Sequence, residues 1–202
     1  PQLVRLSNEN MEGGLYYWGI YPPAVPGGPQ ISGVWRHDMA HPGQPAEEFM
    51  STNTEGQCIA CHALSRDGTK MAITYTGGNG AATLVDVATR TPMASVGNWN
   101  FGTFTPDGNE FLAVSAGTLY VLSYANQQTV ATMTSAGQVT HPDLSPDGTK
   151  LVYVLKSTGG DWSFTGGKVV MRDYDVATHA FGPEQTVIAD TSNNYYPSFS
   201  PD

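Results

Sequence analysis

Cysteine is almost missing from this chain, with two residues in 202. A zinc site needs four ligands, and no second Cys or His pair stands at ligand spacing, which counts against a structural zinc centre. Positive charge is also scarce. Nine Lys and Arg face eighteen Asp and Glu, for a net charge of −9, which argues against nucleic acid or an anionic membrane as the main partner. No apolar run reaches the length of a transmembrane helix, and no signal peptide is seen. The chain begins at Pro1 rather than Met, so a leader or an upstream domain is expected to be missing. There is no P-loop, no dinucleotide fingerprint and no serine in a nucleophile elbow. What is plentiful is glycine (23) and proline (14), with β-branched and aromatic residues spread evenly between them. That profile predicts an all-β protein with many turns, long enough to bury a core in one large or two small domains.

Both cysteines fall in one motif, Cys58-Ile59-Ala60-Cys61-His62. C-x-x-C-H is the attachment signature of c-type haem. The thiols of Cys58 and Cys61 add to the two haem vinyl groups as thioethers, and His62 becomes the proximal iron ligand. A disulfide across two intervening residues makes a strained small loop. A thioredoxin-like redox pair belongs in a βαβ context, which the sequence lacks. One covalent haem c is therefore the expected cofactor. Because haem is attached to this motif outside the cytoplasm, a periplasmic, extracellular or cell-surface location is expected.

Ahead of the motif, residues 1–55 read as an N-terminal arm. Residues 14–21 (GLYYWGIY) and 31–36 (ISGVWR) have strand composition and are separated by a Pro/Gly loop, predicting a β-hairpin. Residues 37–54 read as an irregular loop carrying His37, Met39, His41 and Met50. A loop of that length is usually functional, and this one is expected to cover part of the haem.

Residues 56–202 are repetitive. Ser65-Arg66-Asp67-Gly68 recurs as Thr105-Pro106-Asp107-Gly108, as Ser145-Pro146-Asp147-Gly148 and as Ser200-Pro201-Asp202. The aspartates stand 40, 40 and 55 residues apart. A period near 40–45 with four short strands per unit is the β-propeller pattern. The expected strands are 59–64, 70–75, 82–87 and 92–96, then 100–104, 110–115, 118–124 and 129–133, then 139–144, 151–155, 168–174 and 184–188. In each turn the Asp carboxylate caps backbone N–H groups and Gly takes the positive-φ position. Asp67, Asp107 and Asp147 are thus structural rather than catalytic. The third unit carries an insertion, residues 157–167 (STGGDWSFTGG), read as a loop.

These S-P-D-G blocks resemble TolB-type, WD-like propeller repeats. The stretch GQCIACHALSRDGTKMAITYTGGNG followed by DVATR is similar to exported bacterial proteins that combine a propeller with a C-x-x-C-H haem motif, of the kind found in myxobacteria. The resemblance implies architecture and haem, and says little about physiological role. About three and a half blades are present, and such a ring is incomplete. The remainder is expected from a missing part of the chain or from another subunit, with the N-terminal hairpin as the outer strands of the closing blade.

Aligning the repeats on their aspartates places Cys61 opposite Phe101, His141 and Tyr196, and His62 opposite Gly102, Pro142 and Pro197. These positions begin the innermost strand of each blade, so the haem is expected at the channel mouth. A sixth iron ligand must reach the same mouth. His141 meets that requirement, with His41, His37, Met50 and Met39 as alternatives. Met71, Met93, Met133 and Met171 read as core residues, Met11 as remote, and His179 as a surface turn residue. Trp35, Trp99, Phe101, Tyr195 and Tyr196 are available to pack on a porphyrin or to fill the propeller core. Three functional classes follow. The first is a monohaem c-type cytochrome passing single electrons to a redox partner or within a larger assembly. The second is a peroxidase-like haem enzyme with an open iron position. The third is a binding or scaffold propeller in which the Gly-rich loops 76–80 and 157–160 matter more. The first fits best.

Overall fold

The computed structural model describes residues 13–23, 25–75, 80–94 and 97–200. Met11, the loop 76–80 apart from Gly80, and Pro201-Asp202 of the last repeat lie outside the described residues. The chain divides after Ile59 into two compact units.

The first unit is an antiparallel sheet of β1 (Gly14–Tyr21), β2 (Ile31–Asp38) and β3 (Glu47–Ser51), in that order, followed by a helical turn α1 (Thr52–Glu55). The expected hairpin is present, with Gly14 opposite Asp38 and Tyr21 opposite Ile31. The segment 37–54 is not irregular throughout, because its second half is β3 and most of α1. Polar residues dominate there, yet Phe49 and Met50 are fully buried, and the Phe49 ring meets Tyr16 edge-on at 5.0 Å. Ser51 starts the helical turn. Its hydroxyl accepts from the Asn53 N–H at 2.9 Å, and its own N–H donates to Thr54 Oγ1 at 2.9 Å, a reciprocal cap.

The second unit is an incomplete β-propeller. Its first blade runs β4 (His62–Leu64), β5 (Lys70–Thr74), β6 (Ala81–Asp86) and β7 (Thr91–Pro92), with β8 (Gly97–Asn98) also on β6. The second runs β9 (Phe101–Phe104), β10 (Glu110–Ser115), β11 (Thr118–Ser123) and β12 (Thr129–Thr132). The third begins with β13 (Gln138–Leu144) and β14 (Lys150–Lys156). A small hairpin of β15 (Thr158–Gly159) and β16 (Phe164–Thr165) interrupts it. The blade resumes with β17 (Lys168–Asp175), which pairs with both β18 (Ala180–Phe181) and β19 (Gln185–Ile188). The insertion expected as a loop therefore contains a hairpin. Beyond β19 the described chain, to residue 200, contains no strand. Tyr195 and Phe199 pack there against the third blade.

Burial explains why the inner strands are apolar on both faces. Along β10, Phe111 and Ala113 join a cluster with Ala72, Leu84 and Phe104 of the first two blades. Leu112 and Val114 turn the other way and meet Val139, Leu151 and Tyr153 of the third. β14 repeats the device, with Leu151 and Tyr153 on one side and Val152 and Val154 against Phe164 on the other. Each Leu, Val or Phe among them contributes about 1.5–3 kcal/mol on leaving water, so the blades adhere through their faces.

The turns close as the sequence predicts. Ser65 and Ser145 donate to Asp67 and Asp147, each at 2.6 Å, and Thr105 donates to Asp107 at 2.7 Å. The carboxylates take the N–H groups of Thr69, Asn109 and Thr149. Hydroxyl and amide donors hold Asp67 and Asp147 at a pKa of about 2, below the usual 3.8. Gly68, Gly108 and Gly148 sit at φ +71, +67 and +73°, where a Cβ is strained.

Candidate functional site

The innermost strands β4, β9 and β13 are successive neighbours. The first residues of β4 and β9 and the second half of β13 line a cleft of about 590 Å³, within the roughly 300–1,000 Å³ of small-molecule and cofactor sites. The expectation that His141 begins its strand is thus corrected, because β13 starts three residues earlier. The lining contains the triplets Cys61-His62-Ala63, Phe101-Gly102-Thr103, His141-Pro142-Asp143 and Tyr196-Pro197-Ser198. These are the positions that alignment of the repeats makes equivalent. Trp99 and Phe111 form part of the wall.

Backbone pairing sets each triplet. The Ala60 N–H donates to Thr74 O at 2.8 Å and the Thr74 N–H to Cys61 O at 2.9 Å, and His62 lies opposite Ile73. Cys61 is thereby fixed where the first blade begins. Gly102 lies opposite Ala113. A Cβ on Gly102 would stand 2.3 Å from Phe111 Cζ and 2.6 Å from Leu112 O, so only glycine fits that close approach. In the third blade the register shifts between Thr140 and Asp143. Two residues, His141 and Pro142, face one on β14, which is a bulge. His141 has φ +47° and Tyr196, the equivalent residue before the next proline, φ +48°. The bulge re-aims the imidazole into a nest of rings, with Phe101 at 4.2 Å and Tyr196 at 4.0 Å between centroids.

His141 is 3 % exposed. Among the described residues, neither of its ring nitrogens has a hydrogen-bond partner. Burial pulls its pKa from 6.5 to about 4, with Asp161 acting weakly in the opposite sense. At neutral pH the ring is therefore uncharged, with a lone pair available for a Lewis acid. An orphaned, buried, neutral imidazole is costly in a protein interior. Such a ring suits a ligand that would take its lone pair.

The other sequence-predicted residues distribute differently. Cys58 and Ile59 belong to the first unit and Cys61 and His62 to the second. Both thiols are free. The Ser32 hydroxyl donates to Cys58 Sγ at 3.2 Å, and the Trp18 indole N–H donates to Ile59 O at 2.7 Å. Cys61 is half-buried. Burial raises its thiol pKa, while the neighbouring Trp162 side chain opposes the rise. His41 is exposed and pairs with Asp38 at 2.9 Å. His37 lies in β2 opposite Leu15, and the Met39 N–H donates to Gly13 O. Met50 is core of the first unit, and so is Trp35, whose ring meets Tyr21 at 4.2 Å. His179 pairs with Glu110 at 2.7 Å.

The insertion, expected as a loop, contributes a buried ion pair to the second unit. Lys156 and Asp161 form an ion pair at 2.9 Å with both side chains 5 % exposed. The Asn100 amide, one residue before β9, donates to Asp161 at 2.5 Å. Trp162, next in the chain, sets its ring edge-on to Phe101 at 6.1 Å. The signal was present as an Asp-Trp pair inside a Gly-rich stretch, an unusual place for a large side chain.

No protein-family model matches the chain, and no curated protein matches it. Several solved structures do match its fold. TolB from Acinetobacter baumannii is 22 % identical with a TM-score of 0.58, over 84 % of this chain and 41 % of that one. A putative TolB from Agrobacterium tumefaciens is 16 % identical with a TM-score of 0.57, over 80 % and 58 %. Hydrazine synthase from Kuenenia stuttgartiensis is 15 % identical with a TM-score of 0.56, over 81 % and 47 %. The chain spans about half the length of the structures it matches. The architecture is that of a TolB-like β-propeller, present in part.

Proposed function

We propose that this protein is a c-type monohaem cytochrome on a propeller scaffold, transferring single electrons outside the cytoplasm. The observation that carries the reading is His141. A neutral imidazole with two unpartnered, buried nitrogens lines the same cleft as Cys61 and His62. Cys58 and Cys61 would hold a haem as thioethers, and His62 and His141 would offer imidazole nitrogens to its iron. The bound haem contributes one-electron exchange at its iron. The chain's own residues do the rest. With both imidazoles engaged, the site would favour electron transfer over binding of a small ligand. Trp99 and Phe101 line the cleft with apolar surface. The scarcity of positive charge, at −9 net, favours a basic redox partner. The remainder of the ring comes from a longer chain or another subunit of a larger assembly.

The test is an absorption spectrum of the purified protein, oxidised and reduced, with a pyridine haemochrome assay. One covalent haem with sharp reduced bands that carbon monoxide leaves unchanged is the expected result, together with carbon monoxide binding in His141→Ala. Ready carbon monoxide binding by the wild type replaces this reading with an open-iron enzyme. Absence of haem from a host competent to attach it leaves a binding propeller.

A further inference from the structure

The hairpin between β14 and β17 is polar and largely exposed, yet it drives one carboxylate into the interior. Asp161 is desolvated against Lys156 and Asn100, and the Lys156 ammonium also donates to Gly159 O at 2.8 Å. A buried ion pair is a poor way to gain stability, but it fixes geometry, because breaking either partner strands a charge. The geometry fixed here is that of the next residue. Trp162 is 44 % exposed and contacts two residues of the cleft wall, with its ring edge on Phe101 and its side chain toward the Cys61 sulfur. The same hairpin sends Phe164 inward, where it meets His141 at 5.9 Å and Tyr195 at 4.3 Å.

We propose that Trp162, clasped by Lys156, Asp161 and Asn100, is a positioning residue that backs the Cys61–Phe101 wall and seals that side of the cleft from solvent. The purpose rests on the haem reading, and the geometry does not. Cys61 and Phe101 form the inner layer of the wall and Trp162 the outer one. The clasp sets whether the outer layer is closed.

The experiment uses the full-length haem-free protein carrying Cys58→Ser, so that Cys61 is the sole thiol. The rate of Cys61 alkylation by iodoacetamide is measured in native buffer, with the urea midpoint of each variant alongside. Trp162→Ala is expected to raise the rate roughly tenfold at a nearly unchanged midpoint, as local opening predicts, and Asp161→Asn, which strands the Lys156 charge and lowers the midpoint, to raise it by more than that loss of stability accounts for. Trp162→Phe, which keeps a ring against Phe101, is expected to stay close to the wild-type rate. Unchanged rates in both Trp162→Ala and Asp161→Asn overturn the proposal. So does a rise that merely follows the loss of global stability, the signature of a general structural role. Because no haem is present, a protected Cys61 in a protein that never acquires haem keeps the clasp and discards the cytochrome. Covalent haem with an unprotected Cys61 does the reverse.

Discussion

His141 is held at a double cost. Its backbone is left-handed at φ +47°, and its ring is buried without a hydrogen bond. An unsatisfied buried polar group costs about 1–3 kcal/mol. In the haem-free protein, His141→Phe is therefore expected to raise the melting temperature by several degrees, since Phe fits among Phe101, Phe164 and Tyr196 without stranding a nitrogen. The pH dependence has a definite sign. The unfolded chain protonates this residue near 6.5 and the folded chain only near about 4. Between those values the unfolded state binds the extra proton, so stability falls as pH drops through the window. Thermal melts from pH 7 to pH 4 are expected to show the advantage of His141→Phe growing as the pH falls. A difference that stays flat across that range contradicts the assignment.

Hairpins and turns explain what was readable. The Ser/Thr-x-Asp-Gly turn is a local structure whose hydroxyl, carboxylate and glycine each have a task within six residues, so Asp67, Asp107 and Asp147 reveal the repeat without any long-range information. The repeat in turn makes Cys61, Phe101, His141 and Tyr196 equivalent, and the cleft follows from that equivalence. Other elements depend on distant partners. β3 looks like loop because Glu47, Glu48 and Ser51 flank its only two apolar residues, and Phe49 is buried by Tyr16, 33 positions earlier. The burial of Asp161 depends on Asn100, 61 residues away. No composition rule anticipates a charge in the core. Gly102 is a further case, because its need for no side chain arises across the strand, from Phe111 and Leu112. Gly102→Ala is expected to cost about 1–3 kcal/mol, as overpacking does. A lowered urea midpoint checks this, and an unchanged midpoint would show that β9 shifts at no cost.

In the second unit, burial is greatest in the middle strands of the blades. β10 and β14 are buried on both faces, whereas β12 and β19 are exposed along most of their length. Native-state hydrogen exchange is expected to protect β10, β11, β14 and β17 most, with β7, β12 and β19 exchanging through local opening. Uniform protection across each blade would mean that the blades open only as units. Of the four equivalent residues at the cleft, His141 is buried, Cys61 and Phe101 are half-buried and Tyr196 is exposed, and each arrives on a different segment of the chain. A thiol, a phenyl, an imidazole and a phenol thus occupy corresponding seats, while the clusters that bind blade to blade lie elsewhere in the strands. Duplication of one structural unit has yielded four addresses whose chemistry is rewritable singly, so a new ligand preference is within reach of a few substitutions that leave the architecture intact.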